Sequence, residues 1–437
     1  VEKSIVVVGG GHAAGQLLAS LAQKNWKGPV TVIGDEAYLP YQRPPLSKKY
    51  LAGELGIERL YVKPAEFYAR HGVQFVPDTR VVSIDRDCRD VCTEDGRHFS
   101  YATLVLATGS RPRPLTVPGA GPATVSYLRT IDDVEAIRAR FVAGHRLVIV
   151  GGGYIGLELA AVAVRAGLHV IVLEGGDRIM ARGVGPATSE FFMRSHCREG
   201  VEIRTGAKVL ELRQTGGVVE VVCESAVHEA DLVVAGVGAI PNDDLARQSG
   251  LKIGNGIVVD DLCRTSDPAV FAVGDCADHP NAIFGRRIRL ESVHNAVEQA
   301  KTVVSAIVGS PVPYCQVPWF WSDQYELKLQ IAGLPEGYEQ ALVRGDPNGS
   351  DGFAVLYLRG GTLLAAETVN RSADFMAARQ MIAARIPVDT TRLIDPSIPL
   401  PACAISAAAV AAGESVAGAR GSLVGNGPAR IAGNHSI

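Results

Sequence analysis

Ile5-Val6-Val7-Val8-Gly9-Gly10-Gly11-His12-Ala13-Ala14-Gly15 is followed by Leu17, Leu18, Leu21 and Ala22 at helical spacing. Leu147-Val148-Ile149-Val150-Gly151-Gly152-Gly153-Tyr154-Ile155-Gly156 opens a second helical stretch, Leu157 through Ala166. Each reads as a buried strand, a glycine turn and a helix. In such a unit the first glycine (Gly9, Gly151) permits the tight turn, and the second (Gly11, Gly153) lets the backbone approach a pyrophosphate. The third small residue (Ala14, Gly156) lets the helix pack on the strand, while the helix N-terminus faces the anion. One such motif is weak evidence. Two, each in the right context, predict two dinucleotide sites, with Tyr154 and Ile155 part of the second.

An acid at the end of the following strand should hold an adenosine ribose. His169-Val170-Ile171-Val172-Leu173 ends in Glu174, whose carboxylate can accept from both ribose hydroxyls and would repel a 2′-phosphate. Gly175-Gly176-Asp177 comes next, not an arginine, so NADH is expected in preference to NADPH. After the first motif, Val30-Thr31-Val32-Ile33 leads to Gly34-Asp35-Glu36. Either acid could serve there, Asp35 being slightly favoured.

Strand-like runs alternate with amphipathic stretches elsewhere, which predicts an α/β fold with parallel sheets. A chain of 437 residues exceeds one ordinary core. A net charge of −3 argues against a general nucleic-acid binder. The chain starts Val1-Glu2-Lys3 with no charged-then-apolar leader, and no apolar run reaches membrane-span length. A soluble cytoplasmic protein is expected. Cysteines stand at 88, 92, 197, 223, 263, 276, 315 and 403, and the Cys88–Cys92 spacing is neither CxxC nor a usual zinc pattern. They read as structural thiols of a reducing compartment, and no metal site is expected.

Leu104-Val105-Leu106 runs into the small-residue turn Ala107-Thr108-Gly109, and Val270-Phe271-Ala272-Val273 into Gly274-Asp275. In flavoprotein reductases with two dinucleotide folds, a turn of the first kind closes the FAD domain before an NAD domain is inserted. The Gly-Asp then returns the chain, its aspartate meeting the ribityl chain. Asp231–Gly238, with Pro241-Asn242, resembles the strand ending the inserted domain, which puts Gly238 at the NAD site. FAD is thereby assigned to the first motif and NADH to the second.

More specific stretches are Leu39–Lys48, Tyr127-Leu128-Arg129-Thr130, Glu291-Ser292-Val293, Pro318–Tyr325 and Glu367–Arg371. On these the chain resembles the FAD-dependent NADH–ferredoxin reductases of the putidaredoxin reductase type. The resemblance implies that Arg43 binds the FAD pyrophosphate and that Val82, Arg129 and Val293 also contact FAD, Val293 at the pyrimidine edge. It places Lys48 beside the flavin, paired with Glu158, and Trp321 near the flavin face or edge. A Trp-Phe-Trp run also reads as plain core. Lys48, Glu158 and Trp321 form the implied catalytic set; His294 is not expected to take part.

The implied activity is hydride transfer from NADH to flavin, then two one-electron transfers to a small 2Fe–2S ferredoxin. That ferredoxin would serve a haem-thiolate monooxygenase or a ring-hydroxylating dioxygenase, and the reductase would be a monomer or weak dimer. Where dithiol reductases carry CxxxxC, this chain has Tyr41 to Lys48 and no cysteine, so disulfide reduction is excluded at that position. A rubredoxin reductase, an NADH oxidase and an NADH-sensing flavoprotein resembling apoptosis-inducing factor are the alternatives. Acidic ferredoxins call for a local basic face, with Lys301, Lys328, Arg286, Arg287 and Arg289 as candidates. The expected domains are FAD-binding (1–114 and 245–320), NAD-binding (115–244) and a C-terminal α+β interface domain (321–400). The Ala/Gly/Ser-rich stretch 401–437 is expected to be disordered.

Overall fold

The computed structural model describes residues 3–405. The described residues divide into two compact units, one of 3–180 with His196–Gln316, the other of Ala181–Ser195 with 317–405.

The first unit contains two parallel sheets. Ile5–Val8 is buried at every position, as a strand covered on both faces must be. It pairs with Val30–Ile33 and Thr103–Leu106, in the order Val270–Ala272, Thr103–Leu106, Ile5–Val8, Val30–Ile33, Val73–Val76. In register, Val8 lies beside Ile33 and Leu106, and Leu106 beside Ala272. The turns that follow these strands, at Gly9, Gly34, Ala107 and Gly274, therefore gather along one carboxyl edge. That edge is where open α/β sheets bind ligands.

The second sheet repeats the arrangement: Glu202–Arg204, His169–Leu173, Arg146–Val150, Leu232–Ala235. Val150 lies beside Leu173 and Ala235, bringing Gly151, Glu174 and Gly236 to a common edge. Ser110–Pro112 and Ala239–Pro241 form an antiparallel pair, one leaving the first sheet and the other returning to it. Asn242 fastens this junction. Its side-chain amide donates to Thr108 O at 2.8 Å, and Thr108 Oγ1 donates to Asn242 O at 2.7 Å.

Tyr41, Leu46, Tyr50, Leu51 and Leu60 share one core with Leu147, Ile149, Leu159 and Ala160. The Leu39–Lys48 stretch is thus packed under the helix that follows the second glycine motif. This burial brings two sequence-distant motifs together.

In the second unit a five-stranded antiparallel sheet runs in the order Trp319–Gln324, Leu327–Gly333, Thr362–Val369, Phe353–Arg359, Gln340–Gly345. Helix Ser372–Ala384 contributes Phe375, Ala378, Met381 and Ile382 to the buried side. Two boundaries differ from expectation. Ala181–Ser195, inside the expected NAD span, belongs here: Gly185 N donates to Glu367 Oε1 at 2.9 Å, and the Phe191 and Phe353 rings lie 5.1 Å apart. A local sequence pattern cannot show such a tertiary exchange. The expected tail also starts later than 401. Leu400 and Cys403 are buried, and buried Arg344 donates to the carbonyls of Leu393 (3.0 Å), Asp395 (2.5 Å) and Ile398 (2.5 Å), tying down the segment that leads there. The rest of the expected tail, 406–437, lies outside the described residues. Among the described residues no helix is long and apolar enough to cross a membrane.

Candidate functional site

The glycines of the two motifs fall into two kinds. Gly9 and Gly151 both have φ +108, and a Cβ there would lie 2.2 Å from Ala107 O or 2.4 Å from Gly236 O. Gly156 is equally confined, its Cβ position lying 2.4 Å from Gly151 O. The fold itself requires these three. Gly11 and Gly153 are different: both are extended (φ −89 and −79), and a Cβ at either meets nothing within 4 Å among the described residues. Among the described residues no contact demands glycine there, whereas a ligand backed onto the turn would.

Each of these two glycines caps a 12-residue helix with no side-chain cap, so the helix N–H groups are left to an anion. Ala14 is fully buried against the first strand's core. Ile155, in the first turn of the second helix, is 47% exposed, an apolar rim beside a bare helix end.

Beside the first motif lies a cluster of charges. Asp275 Oδ2 accepts from Ser110 Oγ at 2.7 Å and from Arg129 at 3.1 Å, while Arg289 donates to Asp275 O at 2.9 Å. Arg43 donates to Arg129 O at 2.7 Å and to Glu36 Oε1 at 2.5 Å. Burial disfavours its charge, but Tyr41 and Glu36 on balance raise its pKa. Arg129 is pushed down by burial and then by Arg43, and its Nε is buried without a hydrogen-bond partner among the described residues. His12, first residue of the helix, is lowered to about 4 by burial and then by Arg43. An unpartnered guanidinium N–H, an open glycine turn and a bare helix end together fit a dinucleotide pyrophosphate.

Of the two acids left open, Glu36 is tied to Arg43 and to the Tyr41 hydroxyl (2.5 Å), while Asp35 is exposed. Gly274 has φ +80, and its N–H donates to Gln299 Oε1 at 2.7 Å. Val293 begins the helix capped by Ser292, whose hydroxyl accepts from Asn295 N. Val82 is 43% exposed, at a shift in strand register.

At the second motif, Glu174 Oε2 accepts from Gly152 N and Oε1 from Gly176 N, both at 2.7 Å. Its carboxylate is thereby fixed beneath the turn. Gly238 has φ +110, and its carbonyl accepts from Arg113 N at 2.9 Å. Between the motifs lies the pair that the resemblance implied: Lys48 Nζ is 2.8 Å from Glu158 Oε2, with the side chains 17% and 5% exposed. Ser47 Oγ donates to the same oxygen at 2.5 Å.

Trp321 is half-buried in the second unit, its ring 5.3 Å from that of Trp319, over which Arg379 lies. One expected surface candidate is corrected. Arg289 is 2% exposed, held by Asp275 O, Asn255 and an ion pair with Glu291 at 2.8 Å, so it cannot belong to a docking face.

Residues 3–300 match the pyridine nucleotide-disulphide oxidoreductase family and residues 319–404 the reductase C-terminal family. Putidaredoxin reductase CamA of Pseudomonas putida is 43% identical over 404 residues, covering 91% of this chain and 96% of that protein. The chain belongs to the pyridine nucleotide-disulphide oxidoreductase family, in its ferredoxin reductase type. Rhodocoxin reductase of Rhodococcus erythropolis is 41% identical, covering 90% of this chain and 92% of that protein. The crystal structure of the covalent putidaredoxin reductase–putidaredoxin complex superposes with a TM-score of 0.88 at 42% identity, covering 92% and 97% of the two chains. As a family member the chain is an FAD-dependent ferredoxin–NAD(P)+ oxidoreductase. Sequence reasoning missed Ser47, Ser110, Asn242 and Gln299, whose roles come from tertiary contacts. Ser47 alone left a signal, as a polar residue before Lys48 in the Leu39–Lys48 stretch.

Proposed function

We propose that this reductase oxidises NADH at the second motif, holds FAD at the first and reduces a small 2Fe–2S ferredoxin. The observation that carries the reading is the Lys48–Glu158 pair, which joins the FAD-side segment to the helix of the second motif. A pair this enclosed is costly unless well matched, and a structural purpose alone would be served as well by apolar packing.

FAD, when bound, supplies the redox chemistry by accepting electrons in pairs and releasing them singly. The chain's own residues do the rest. Gly11 and the helix start at His12 admit the FAD pyrophosphate, with Arg129 and Arg43 as cationic partners and Asp275 for the ribityl hydroxyls. Gly153 and its helix start do the same for NADH. Glu174, fixed by two backbone N–H groups, accepts from the adenosine ribose and disfavours a 2′-phosphate. Lys48 presents a positive charge where negative charge accumulates on reduction, and Glu158 orients it. Val293 would border the pyrimidine end; for Trp321 a place at the flavin rests on the family resemblance alone.

No thiol lies between Tyr41 and Lys48, and the buried Cys276 next to Asp275 has its pKa raised by burial, which keeps it an inert thiol. Both facts favour one-electron delivery to a partner over disulfide or peroxide chemistry. The acceptor's own client would be a haem-thiolate monooxygenase or a ring-hydroxylating dioxygenase. The test is NADH-driven cytochrome c reduction with added 2Fe–2S ferredoxin or rubredoxin. Stimulation by the ferredoxin supports the reading, and stimulation by rubredoxin alone refutes it.

A further inference from the structure

Glu158 Oε2 is gripped by two donors that are neighbours in the chain. Lys48 Nζ lies at 2.8 Å and Ser47 Oγ at 2.5 Å. Both donors follow from the short 3-10 turn Pro44–Ser47, and Ser47 is 4% exposed. Lys48 Nζ also donates to Pro44 O at 3.2 Å, which leaves one of its three N–H groups uncommitted among the described residues. That spare N–H is what an electron-accepting ring can use, and its direction is set by where the carboxylate sits.

The hydroxyl has two physical effects. It shares the charge of Oε2, weakening the pull of Glu158 on the ammonium, and it fixes the oxygen relative to the turn that carries Lys48. Without it Oε2 loses one of its restraints and turns more of its charge on Lys48. The ammonium would then be drawn toward Glu158 and away from its uncommitted direction.

We propose that Ser47 is a positioning residue for hydride acceptance: its bond to Glu158 Oε2 holds the Lys48 ammonium where it can act on the flavin. The inference rests on the role proposed above for Lys48, and the two are separable by experiment.

The variants are Ser47→Ala, Ser47→Thr, Lys48→Met and the double variant Ser47→Ala/Lys48→Met, each purified as holoenzyme. Anaerobic stopped-flow absorbance gives the limiting rate of flavin reduction and the apparent NADH dissociation constant separately. Dye equilibration gives the flavin midpoint potential, a readout independent of turnover.

Ser47→Ala should lower the limiting rate by roughly three- to tenfold, the scale of a lost supporting hydrogen bond, with the NADH dissociation constant within about twofold. Its midpoint potential should be more negative than that of the parent, and Ser47→Thr, which keeps the hydroxyl, should restore both quantities. In the Lys48→Met background Ser47→Ala should change neither, because its effect passes through the ammonium.

An equal slowing by Ser47→Ala in both backgrounds would overturn the proposal, as would an unchanged potential. Loss of FAD or of folding in both Ser47 variants would make the residue structural and overturn it too. If Lys48→Met leaves reduction unchanged, the role of Lys48 itself fails. If Lys48→Met slows reduction and Ser47→Ala does not, only the inference about Ser47 fails.

Discussion

Adding a single methyl group at Gly153 separates a requirement of the fold from a requirement of the ligand. In Gly153→Ala the new Cβ meets no atom of the described residues within 4 Å, and φ −79 with ψ 179 is a conformation alanine adopts freely. The cost to the fold is confined to replacing a glycine N-cap by alanine, about 1 kcal/mol or less. For a chain of this size that shifts the melting temperature by about 2–4 °C at most. Gly151→Ala is the control. There φ is +108, and the Cβ would lie 2.4 Å from Gly236 O and 2.9 Å from its carbonyl carbon. Backbone strain and overpacking together put that cost at about 2–6 kcal/mol. Gly153→Ala should therefore fold, retain FAD and melt near the parent, yet bind NADH at least about tenfold more weakly, a loss of about 1.4 kcal/mol. The assay is the NADH dependence of flavin reduction in anaerobic stopped-flow, beside thermal melts of both variants. An NADH dissociation constant within twofold of the parent would refute the assignment of this turn to the dinucleotide.

Glu174→Ala should raise the Michaelis constant for NADH and narrow the NADH/NADPH ratio, since it removes the acceptor held by Gly152 N and Gly176 N; an unchanged ratio would count against the site. Lys48→Met should slow flavin reduction more than it weakens NADH binding, as read by the same stopped-flow separation of rate and affinity. His279 is lowered to about 4, chiefly by burial, so the folded chain keeps it neutral while the unfolded imidazole takes a proton below 6.5. Stability should therefore fall as pH drops from 6.5 toward 4, by up to about 3 kcal/mol from this group. His279→Leu should make the pH dependence of melting shallower in that window, and an unaltered slope would contradict the argument.

Periodicity and glycine spacing made most of the fold legible. Ile5–Val8 and Leu147–Val150 read as buried parallel strands because both faces are covered, and the turns after them carry glycines that the backbone demands at Gly9 and Gly151. The place of Glu174 beside the second glycine turn was legible for the same reason: it follows a strand that the register sets beside the motif strand. What stayed hidden depended on long-range contact. Ala181–Ser195 looks like part of the inserted domain, yet it packs on Glu367 and Phe353. Arg289 resembles its exposed neighbours in sequence, but the turn at Asp275 buries it. The engagement of Glu36 by Arg43 and Tyr41 was hidden for another reason: it is a nearby contact made through an irregular turn that has no periodic pattern.

The central claim, that electrons from NADH leave singly to an iron–sulfur partner, is tested most directly by one anaerobic single-turnover experiment. Enzyme reduced by one equivalent of NADH is mixed with excess 2Fe–2S ferredoxin, and ferredoxin bleaching is followed against flavin reoxidation. The account predicts two ferredoxins reduced per FAD, in step with flavin reoxidation and faster than steady-state turnover. Flavin that stays reduced beside oxidised ferredoxin, and is reoxidised only when air is admitted, would contradict it.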